Sequence, residues 1–363
     1  MKIHAMYGVD FPNTSASGAG PLAPLRTPIP NGPWEVYHSN TEVSASYNST
    51  DGWFNCSMLF GTYNFGGYRF KVSANLKSVV ADLSPTSNLY FGWRFKTVTK
   101  YDQTTIAALH SDQDVANVTQ LFAKTDLPAY AIAKTYYLEL NLNFATQRIE
   151  RRVNGLPLVS LAMPAWMLTA VGASPGGTSV YLGIGAPNVT TFVQGETQAF
   201  SFRDVYCVEW EAGELAQYLG PQVVEKVAIN AATATGWVAS TGTATSVLKT
   251  GYSNPSTPVG APTLTSDDAM TPASITYTAT AIPQNAIVNG VVVKGRSAVS
   301  VNATGNLGVS LTVGGTETAD VTTSMVAAQT WYDRLVASTK TPGGLPWTQA
   351  SLAALTVKAK PKV

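Results

Sequence analysis

The chain has little charge, few cysteines and histidines, and no long apolar run. Charged residues make up 12% of its 363 residues, against about 25% in an average globular protein. The net charge of +1 gives no field that would favour nucleic acid or an anionic membrane surface. No stretch approaches the roughly 20 apolar residues of a membrane-spanning helix. The N-terminus MKIHAMYGVDFPNTSASGAG also lacks the apolar core of a secretory signal. We therefore expect no nucleic-acid partner and no membrane insertion.

The chemistry-bearing residues are as sparse as the charge. Two cysteines, Cys56 and Cys207, are too few for a disulfide framework. Without an export signal we interpret them as small buried side chains, although the sequence leaves a bridge between them open. His4, His38 and His110 have no motif around them that pairs a nucleophile with a base. These residues predict surface or hydrogen-bonded histidines and no catalytic residue.

Cofactor signatures are missing as well, since the chain has neither a phosphate-binding loop nor a complete EF-hand loop. Asp112 and Asp114 in SDQDVAN have a spacing that can begin an oxygen-ligand loop for calcium. Jelly-roll lectins hold calcium on such loops, so a calcium site there stays an alternative. No cofactor is otherwise expected, and no metal ligand is assigned.

What the chain does have is alternation of apolar and polar residues. In YYLELNLNF, residues 136–144, leucines alternate with Glu139, Asn141 and Asn143, which predicts a strand with one face in water. The same pattern recurs in SVYLGIGA, QAFSFRDVYCVEW and NLGVSLTV. Helical pattern is limited to AGELAQYLGP, residues 212–221, and to PWTQASLAAL with Thr348 as its N-cap. Many short strands with few helices predict an all-β sandwich or jelly roll.

The composition changes near residue 222. Thirty of the 36 aromatic residues and both cysteines precede it, which indicates two cores of different chemistry. We expect a jelly roll over residues 1–222 and a smaller β-sandwich domain over residues 223–363. The proline-rich stretch of residues 12–33 is neither helix nor central strand. It is expected to be an extended arm on the domain or on a neighbouring subunit.

Two charged residues occupy apolar positions of their strands. Asp204 stands among the apolar even-numbered residues of QAFSFRDVYCVEW, and Arg151 lies between Ile149 and Val153. Either a bulge shifts the register at Asp204, or its carboxylate is buried and paired. We expect Arg151 and Asp204 to form a buried structural pair.

The rest of the segment RIERRVNGLPL, residues 148–158, is typical of an exterior strand. Arg148, Glu150 and Arg152 share one parity and should face solvent or a neighbouring subunit, while Asn154-Gly155 favours a type I′ turn.

Aromatic residues offer the remaining candidates for binding. Stacking on host glycan is a hypothesis for Trp34, Trp53, Trp93 and Trp166, although core packing is the commoner use of such residues. A glycosidase would need two carboxylates facing one groove. The sequence does not show whether Glu139, Glu150 or Asp204 come together.

Several phrases together resemble a known family. The strand YYLELNLNF with RIERRVNGLPL, then SVYLGIG and the closing FSFRDVYCVEWEAGE, resembles the laminin-G-like or concanavalin-like jelly roll of tailed-phage virion proteins. In that family a segment like YLGPQVVEKV leads into a second β-domain that closes with a phrase like LPWTQASLAALTVK. The opening MYGVDF and the strand LYFGWRFK fit the same family. The closing strand departs from it, because Arg203 precedes Asp204 where paired acids are common.

The resemblance implies a non-enzymatic structural component of a bacteriophage virion, assembled in the host cytoplasm. It would be displayed on the particle as a capsid (head) decoration, a minor capsid protein, or a tail accessory protein. Its partners would be other virion proteins and further copies of itself in a homo-oligomer. A receptor-binding tail fibre or adhesin for host glycan is the alternative, and a glycan-cleaving enzyme is a third hypothesis.

Overall fold

The computed structural model describes residues 1–7, 34–38, 43–48, 53–59, 66–71, 88–99, 105–111, 118–172, 180–186, 197–210, 214–225, 227–250, 264–266, 271–297, 305–325 and 332–362. The chain divides between Val224 and Glu225 into two compact units, which we call the first and the second unit. The arm predicted for residues 12–33 lies outside the described residues. No helix of the described ranges is long and apolar enough to cross a membrane.

The first unit is built of short antiparallel strands. In chain order the strands of its described residues are β1 (Lys2–Tyr7), β2 (Trp34–His38), β3 (Val43–Asn48), β4 (Trp53–Leu59), β5 (Gly66–Lys71), β6 (Asn88–Thr97), β7 (Thr105–Ser111), β8 (Val118–Ala123), β9 (Tyr136–Asn143), β10 (Arg148–Val153), β11 (Leu156–Pro157), β12 (Leu161–Ala162), β13 (Val180–Ala186) and β14 (Thr197–Glu209). A 3-10 turn, Lys124–Asp126, follows β8, and helix α1, Ala165–Gly172, follows β12.

These strands form two sheets that pack on one core. The described part of the large sheet has nine strands, in the order β11-β10-β9-β6-β14-β4-β3, with β1 on β14 and β12 on β10. The small sheet has the order β2-β5-β13-β7-β8. Trp93 of the large sheet meets Phe122 of the small sheet edge to face, with ring centroids 5.6 Å apart. Buried side chains of both sheets belong to the same apolar cluster, so the first unit is a β-sandwich.

The second unit is a smaller β structure with its own core. Its described strands are β15 (Ala228–Thr233), β16 (Trp237–Ala239), β17 (Leu264–Ser266), β18 (Ala273–Thr278), β19 (Val291–Ser297), β20 (Gly305–Val313), β21 (Thr316–Glu317), β22 (Val321–Met325), β23 (Tyr332–Ser338) and β24 (Thr356–Lys362), with helices α2 (Ala244–Thr250) and α3 (Gln349–Ala353). A six-stranded sheet runs β15-β18-β24-β20-β21, with β22 on β20. The core of this unit contains Leu311 and Val357 from this sheet and Val336 from the strand pair β19–β23.

The all-β fold class predicted from alternation is confirmed, and the four quoted strand segments correspond to β9, β13, β14 and β20. The short helix in PWTQASLAAL is α3, whose N-cap Thr348 accepts a hydrogen bond from the backbone N–H of Ser351. Asn154 and Gly155 have φ values of 52° and 79°, as the type I′ turn between β10 and β11 requires.

Two local predictions are wrong. Residues 214–220 of the predicted helix 212–221 form no helix, because backbone groups of this segment bind side chains of the large sheet. The polar face of β9 was expected in water, yet Glu139 and Asn141 are each only 1% exposed. Both errors have the same cause. The irregular segment of residues 214–220 covers the outer face of β9 and keeps water away from it.

Candidate functional site

The outer face of the large sheet carries a row of polar and small residues. Register places Arg152 opposite Glu139, Glu139 opposite Gly92, and Gly92 opposite Tyr206. Directly opposed residues of antiparallel strands point to the same face. Four neighbouring strands, β10, β9, β6 and β14, therefore contribute to one row on the side away from the core.

An irregular segment, residues 214–224, lies over this face, and we call it the strap. Gly220 donates its backbone N–H to Oε1 of Glu139 at 3.1 Å, and the Tyr137 hydroxyl donates to the Gly220 carbonyl. Earlier in the strap, Nε1 of Trp210 donates to the carbonyl of Gln217 at 2.9 Å. The strap is thus held through its backbone by side chains of the sheet and by Trp210, which directly follows β14.

Glu139 is the central anchor of the strap. Besides Gly220, the hydroxyls of Tyr137 and Tyr206 lie 3.4 and 3.3 Å from its Oε1. Desolvation by burial raises the pKa of Glu139 above its usual value, and the Gly220 N–H, Arg152 and the two hydroxyls oppose this effect. Burial also raises the pKa values of both tyrosines, so their hydroxyls stay protonated and can donate.

Gly92 makes room for the two tyrosines. A Cβ built on Gly92 would lie 2.6 Å from Cζ of Tyr206 and 2.5 Å from the hydroxyl oxygen of Tyr137. Such distances are far inside van der Waals contact. Only glycine at this position lets both rings pass over β6 to reach Glu139 and the strap.

Aromatic and cationic groups hold the middle of the strap. The ring of Tyr218 meets Tyr90 edge to face, with centroids 5.1 Å apart. The guanidinium carbon of Arg152 lies 3.9 Å from the centre of the Tyr218 ring, a cation–π contact. Arg152, predicted to face solvent or a neighbour, is therefore half-buried beside this segment of its own chain.

Asp204 anchors the end of the strap. Its side chain is fully buried and accepts the Val224 backbone N–H at 3.0 Å. Its Oδ2 lies 2.9 Å from Nε of Arg203 and 3.2 Å from Nε of Arg94. Those arginines stand directly opposite each other on β14 and β6, a placement that is destabilising without a counter-charge. The Asp204 carboxylate supplies that counter-charge.

The sequence offered a bulge or a buried, paired carboxylate at Asp204, and the structure has both. The register of β14 against β6 shifts between Arg203 and Tyr206, and Asp204 has a left-handed φ of 55°. The bulge changes which parity of β14 faces the core, so that Phe202 before it and Val205 after it both belong to the apolar cluster.

The predicted pair of Arg151 with Asp204 is wrong. Two strands, β9 and β6, separate β10 from β14, which places the residues about 14 Å apart at the usual strand spacing. Arg151 instead donates to the carbonyls of Leu121 and Val159, and its Nη1 lies 3.7 Å from Oδ2 of Asp126. It thereby connects β10 of the large sheet to β8 of the small sheet. Burial lowers the pKa of Arg151 against the opposing effect of Asp126.

The four tryptophans do not form a binding surface together. Trp93 is 0% exposed in the core, so the hypothesis that it stacks on glycan is wrong. Trp53 is 8% exposed, with Nζ of Lys96 4.1 Å from its ring centre, and so has little surface left for a sugar. Trp166, on α1, packs partly buried against the core. Trp34 begins β2, and its side chain lies outside the described residues.

The remaining candidates give no metal or nucleophile site in the part of the chain that is described. Nε2 of His4 lies 3.0 Å from Oε2 of Glu209, with both residues buried. Cys207 is free and buried, and burial raises the pKa of its thiol. No group of three His, Cys, Asp or Glu among the described residues could hold a metal ion. Asp112 and Asp114, the calcium alternative, lie outside them.

Sequence reasoning missed the strap and its anchors. One signal was present, because the outward parity of the strands is rich in large rings: Tyr90, Tyr137 and Tyr206. A face in water does not need such residues, whereas a face that another segment covers does. The glycine of LYFGWRFK, Gly92, was a second signal, since glycine inside a strand often marks a close approach of another group.

No protein-family model matches the chain, and no curated protein matches it. Among solved structures, it is similar to a sialidase at 11% identity and a TM-score of 0.30, over 48% of this chain and 17% of that one. It is similar to the binding domain of botulinum neurotoxin serotype C1 at 12% identity and a TM-score of 0.29, over 48% and 43%. It is also similar to an alginate lyase of polysaccharide lyase family 7 at 12% identity and a TM-score of 0.28, over 46% of this chain and 82% of that one. All three similarities are distant, at TM-scores of 0.30 or lower, and carry no conclusion about what this chain does.

Proposed function

We propose that the chain is a non-enzymatic structural component of a tailed-bacteriophage virion, acting through protein–protein contacts. In this proposal it is displayed on the particle as a head decoration or a tail accessory subunit. Its partners are other virion proteins and further copies of the same chain, and it joins them during assembly in the host cytoplasm.

The proposal that the chain is not an enzyme rests on one observation: the buried charged groups of the described residues are bound to other parts of the fold. Glu139 and Asp204 bind the strap, Arg151 joins two sheets, and His4 binds Glu209. A catalytic acid or base must reach its substrate, whereas each of these groups is enclosed and bound to another part of the fold. Their arrangement supports a role in holding the molecule together.

The hairpin at the edge of the large sheet offers a surface for protein contacts. Leu156 and Val159 are 66% and 81% exposed, and Arg148 and Glu150 on the adjacent strand are exposed as well. Apolar side chains beside a few charges are the usual content of a protein–protein interface. Low charge elsewhere keeps such contacts tolerant of salt.

Particle composition tests the proposal directly. Particles of the phage that encodes the chain would be purified by density gradient and analysed by quantitative mass spectrometry and cryo-electron microscopy. We expect the chain at a fixed copy number and density for its two units at one lattice, tail or fibre position. Recovery of the chain only from the particle-free lysate of infected cells would overturn the proposal.

The alternative of a glycan-binding fibre or adhesin has lost part of its support, because Trp93 is in the core and Trp53 is buried. Trp166 and Trp34 remain as candidates for it. A glycan array with the purified chain distinguishes the two functions. Specific binding that Trp166→Ala or Trp34→Ala abolishes would favour the adhesin, and an array without signal favours the structural role.

A further inference from the structure

The strap is held by two buried carboxylates whose surroundings differ. Oδ1 of Asp204 accepts the Val224 N–H at 3.0 Å, and Asp204 has Arg94 and Arg203 against its other oxygen. Oε1 of Glu139 accepts the Gly220 N–H at 3.1 Å, and its closest side-chain partners are hydroxyls. One anchor is therefore neutralised by cations, and the other is solvated chiefly by neutral donors.

The charged and titratable groups around Glu139 can be named element by element. Arg152 faces it from β10, Tyr137 from its own strand, and Tyr206 from β14. Its neighbour on β6 is Gly92, which brings no charge. The strap brings the N–H of Gly220 and the ring of Tyr218, on which the Arg152 guanidinium stacks. Glu150, two residues before Arg152 on β10, faces the same side near Tyr218, and Arg94, two residues after Gly92 on β6, is paired with Asp204. Arg152 is thus the one cation of this row in the described residues, and it is shared with Tyr218.

We propose that residues 214–224 form a releasable strap and that protonation of Glu139 retains the strap on the large sheet. With the strap in place, Glu139 is 1% exposed and has little water around its carboxyl. An ionised carboxylate is costly in such a position unless a cation compensates it. Lifting the strap returns water to the carboxyl, and the cost of ionisation disappears.

The sign of the effect follows from the two states of the strap. When the strap is bound, burial raises the pKa of Glu139 above the usual 4.5. When the strap is lifted, the exposed carboxyl returns toward that usual value. The bound state therefore takes up a proton more readily, so low pH favours it. Above 4.5 the opening equilibrium therefore rises with pH, by at most about tenfold per pH unit for a single proton, until it levels off above the raised pKa.

Glu139→Gln separates this effect from a purely structural one. Glutamine has the shape of the protonated glutamate, and its carbonyl oxygen can still accept the Gly220 N–H. It has no proton to lose, so the strap of this variant should stay bound at every pH. Glu150→Gln is the matched control, because Glu150 is an exposed residue of β10 that lies near Tyr218 of the strap but makes no hydrogen bond to the strap among the described contacts.

Hydrogen exchange on the full chain, followed by NMR from about pH 4 to about pH 9, tests the proposal. Amide rates are divided by the intrinsic rates to give protection factors. In the wild type and in Glu150→Gln we expect protection of Gly220 to fall as the pH rises above 4.5, by at most about tenfold per pH unit, and then to level off. In Glu139→Gln we expect one value throughout.

Amides of β9 that pair with β6 report the opening of the whole first unit and serve as the internal reference. The proposal is overturned if Gly220 protection in the wild type does not change with pH, a result that needs no variant to fold. It is also overturned if Glu139→Gln shows the slope of the wild type. A parallel fall at Gly220 and at the β9 amides would mean global unfolding and would equally reject a releasable strap.

Discussion

Glu139 of the first unit and Glu317 of the second unit are the same residue type on antiparallel strands, and their environments are opposite. Glu139 is covered by the strap, and burial raises its pKa. Glu317 has a side chain 28% exposed, with Nζ of Lys358 at 2.5 Å and Oγ of Ser310 at 2.6 Å. These partners and Lys360 lower the pKa of Glu317 to about 2.

The difference shows that a polar residue on the outward parity of a strand does not reveal its environment. The position of a residue in its strand decides which face of the sheet its side chain lies on. Whether that face is exposed to water depends on whether another segment of the chain covers it. As a result the two units should respond oppositely to pH. The covered state of Glu139 is favoured in acid, because burial disfavours its ionised form, whereas the contacts of Glu317 require its ionised form.

Asp204→Asn should cause the largest loss of stability. Asparagine tolerates the left-handed backbone of this position, so the change removes the charge and leaves Arg94 opposite Arg203 without its counter-ion. Breaking a buried ion pair of this kind costs about 3 kcal/mol. Native-state hydrogen exchange reads the free energy of opening of each unit separately.

Asp320→Asn in the second unit is its control, because the Asp320 side chain is 17% exposed and lies 3.0 Å from Lys360. We expect Asp320→Asn to lower the free energy of unfolding of the second unit by less than about 1 kcal/mol. Equal losses in the two variants would contradict the buried role of Asp204.

Gly92→Ala should cause the second-largest loss of stability, about 2 kcal/mol, which is the usual cost of overpacking a filled site. Its new methyl group would force apart the rings of Tyr137 and Tyr206, and the strap amides should lose protection first. Gly343→Ala serves as the control, because its Cβ would lie 4.0 Å from Thr341 Oγ1, an ordinary contact. A Gly92→Ala chain with wild-type exchange at Gly220 would show that the tyrosines do not need this space.

Arg151→Met should cost about 1 to 2 kcal/mol, because the carbonyls of Leu121 and Val159 lose a charged donor. Arg148→Met is the comparison on the same strand. Arg148 is exposed and binds Ser160, so its loss should stay within about 0.5 kcal/mol. If both substitutions have the same small effect, Arg151 does not join the two sheets.

Glu317→Gln should cause the smallest change in stability, and only at acidic pH. The folded-state pKa of Glu317 is lowered, so its contribution is complete above the usual 4.5 and disappears as the pH falls toward about 2. Because the group is partly exposed, the loss should be below about 1 kcal/mol. In Glu317→Gln the amides of β20 should lose this acid sensitivity, which exchange measured from about pH 5 to about pH 2 would check. An unchanged acid response would assign the sensitivity to another group.

Local rules predicted much of the fold. Alternation located β9, β13, β14 and β20, and the cap at Thr348 located α3, because these features depend on neighbouring residues. The partners of Arg151 and Asp204 could not be predicted, since they depend on the order of strands in the sheet. The strap was missed for a related reason: its sequence has the spacing of a helix, and only contacts with residues about 80 positions away make another conformation more stable.

The central claim is that the outer face of the large sheet is an interior surface covered by residues 214–224. Exchange of the Gly220 and Val224 amides at one mildly acidic pH tests it most directly. We predict that both exchange at least about a hundredfold more slowly than in an unstructured peptide, since each is bonded to a buried carboxylate. Exchange of both at the peptide rate would show that the strap does not lie on this face.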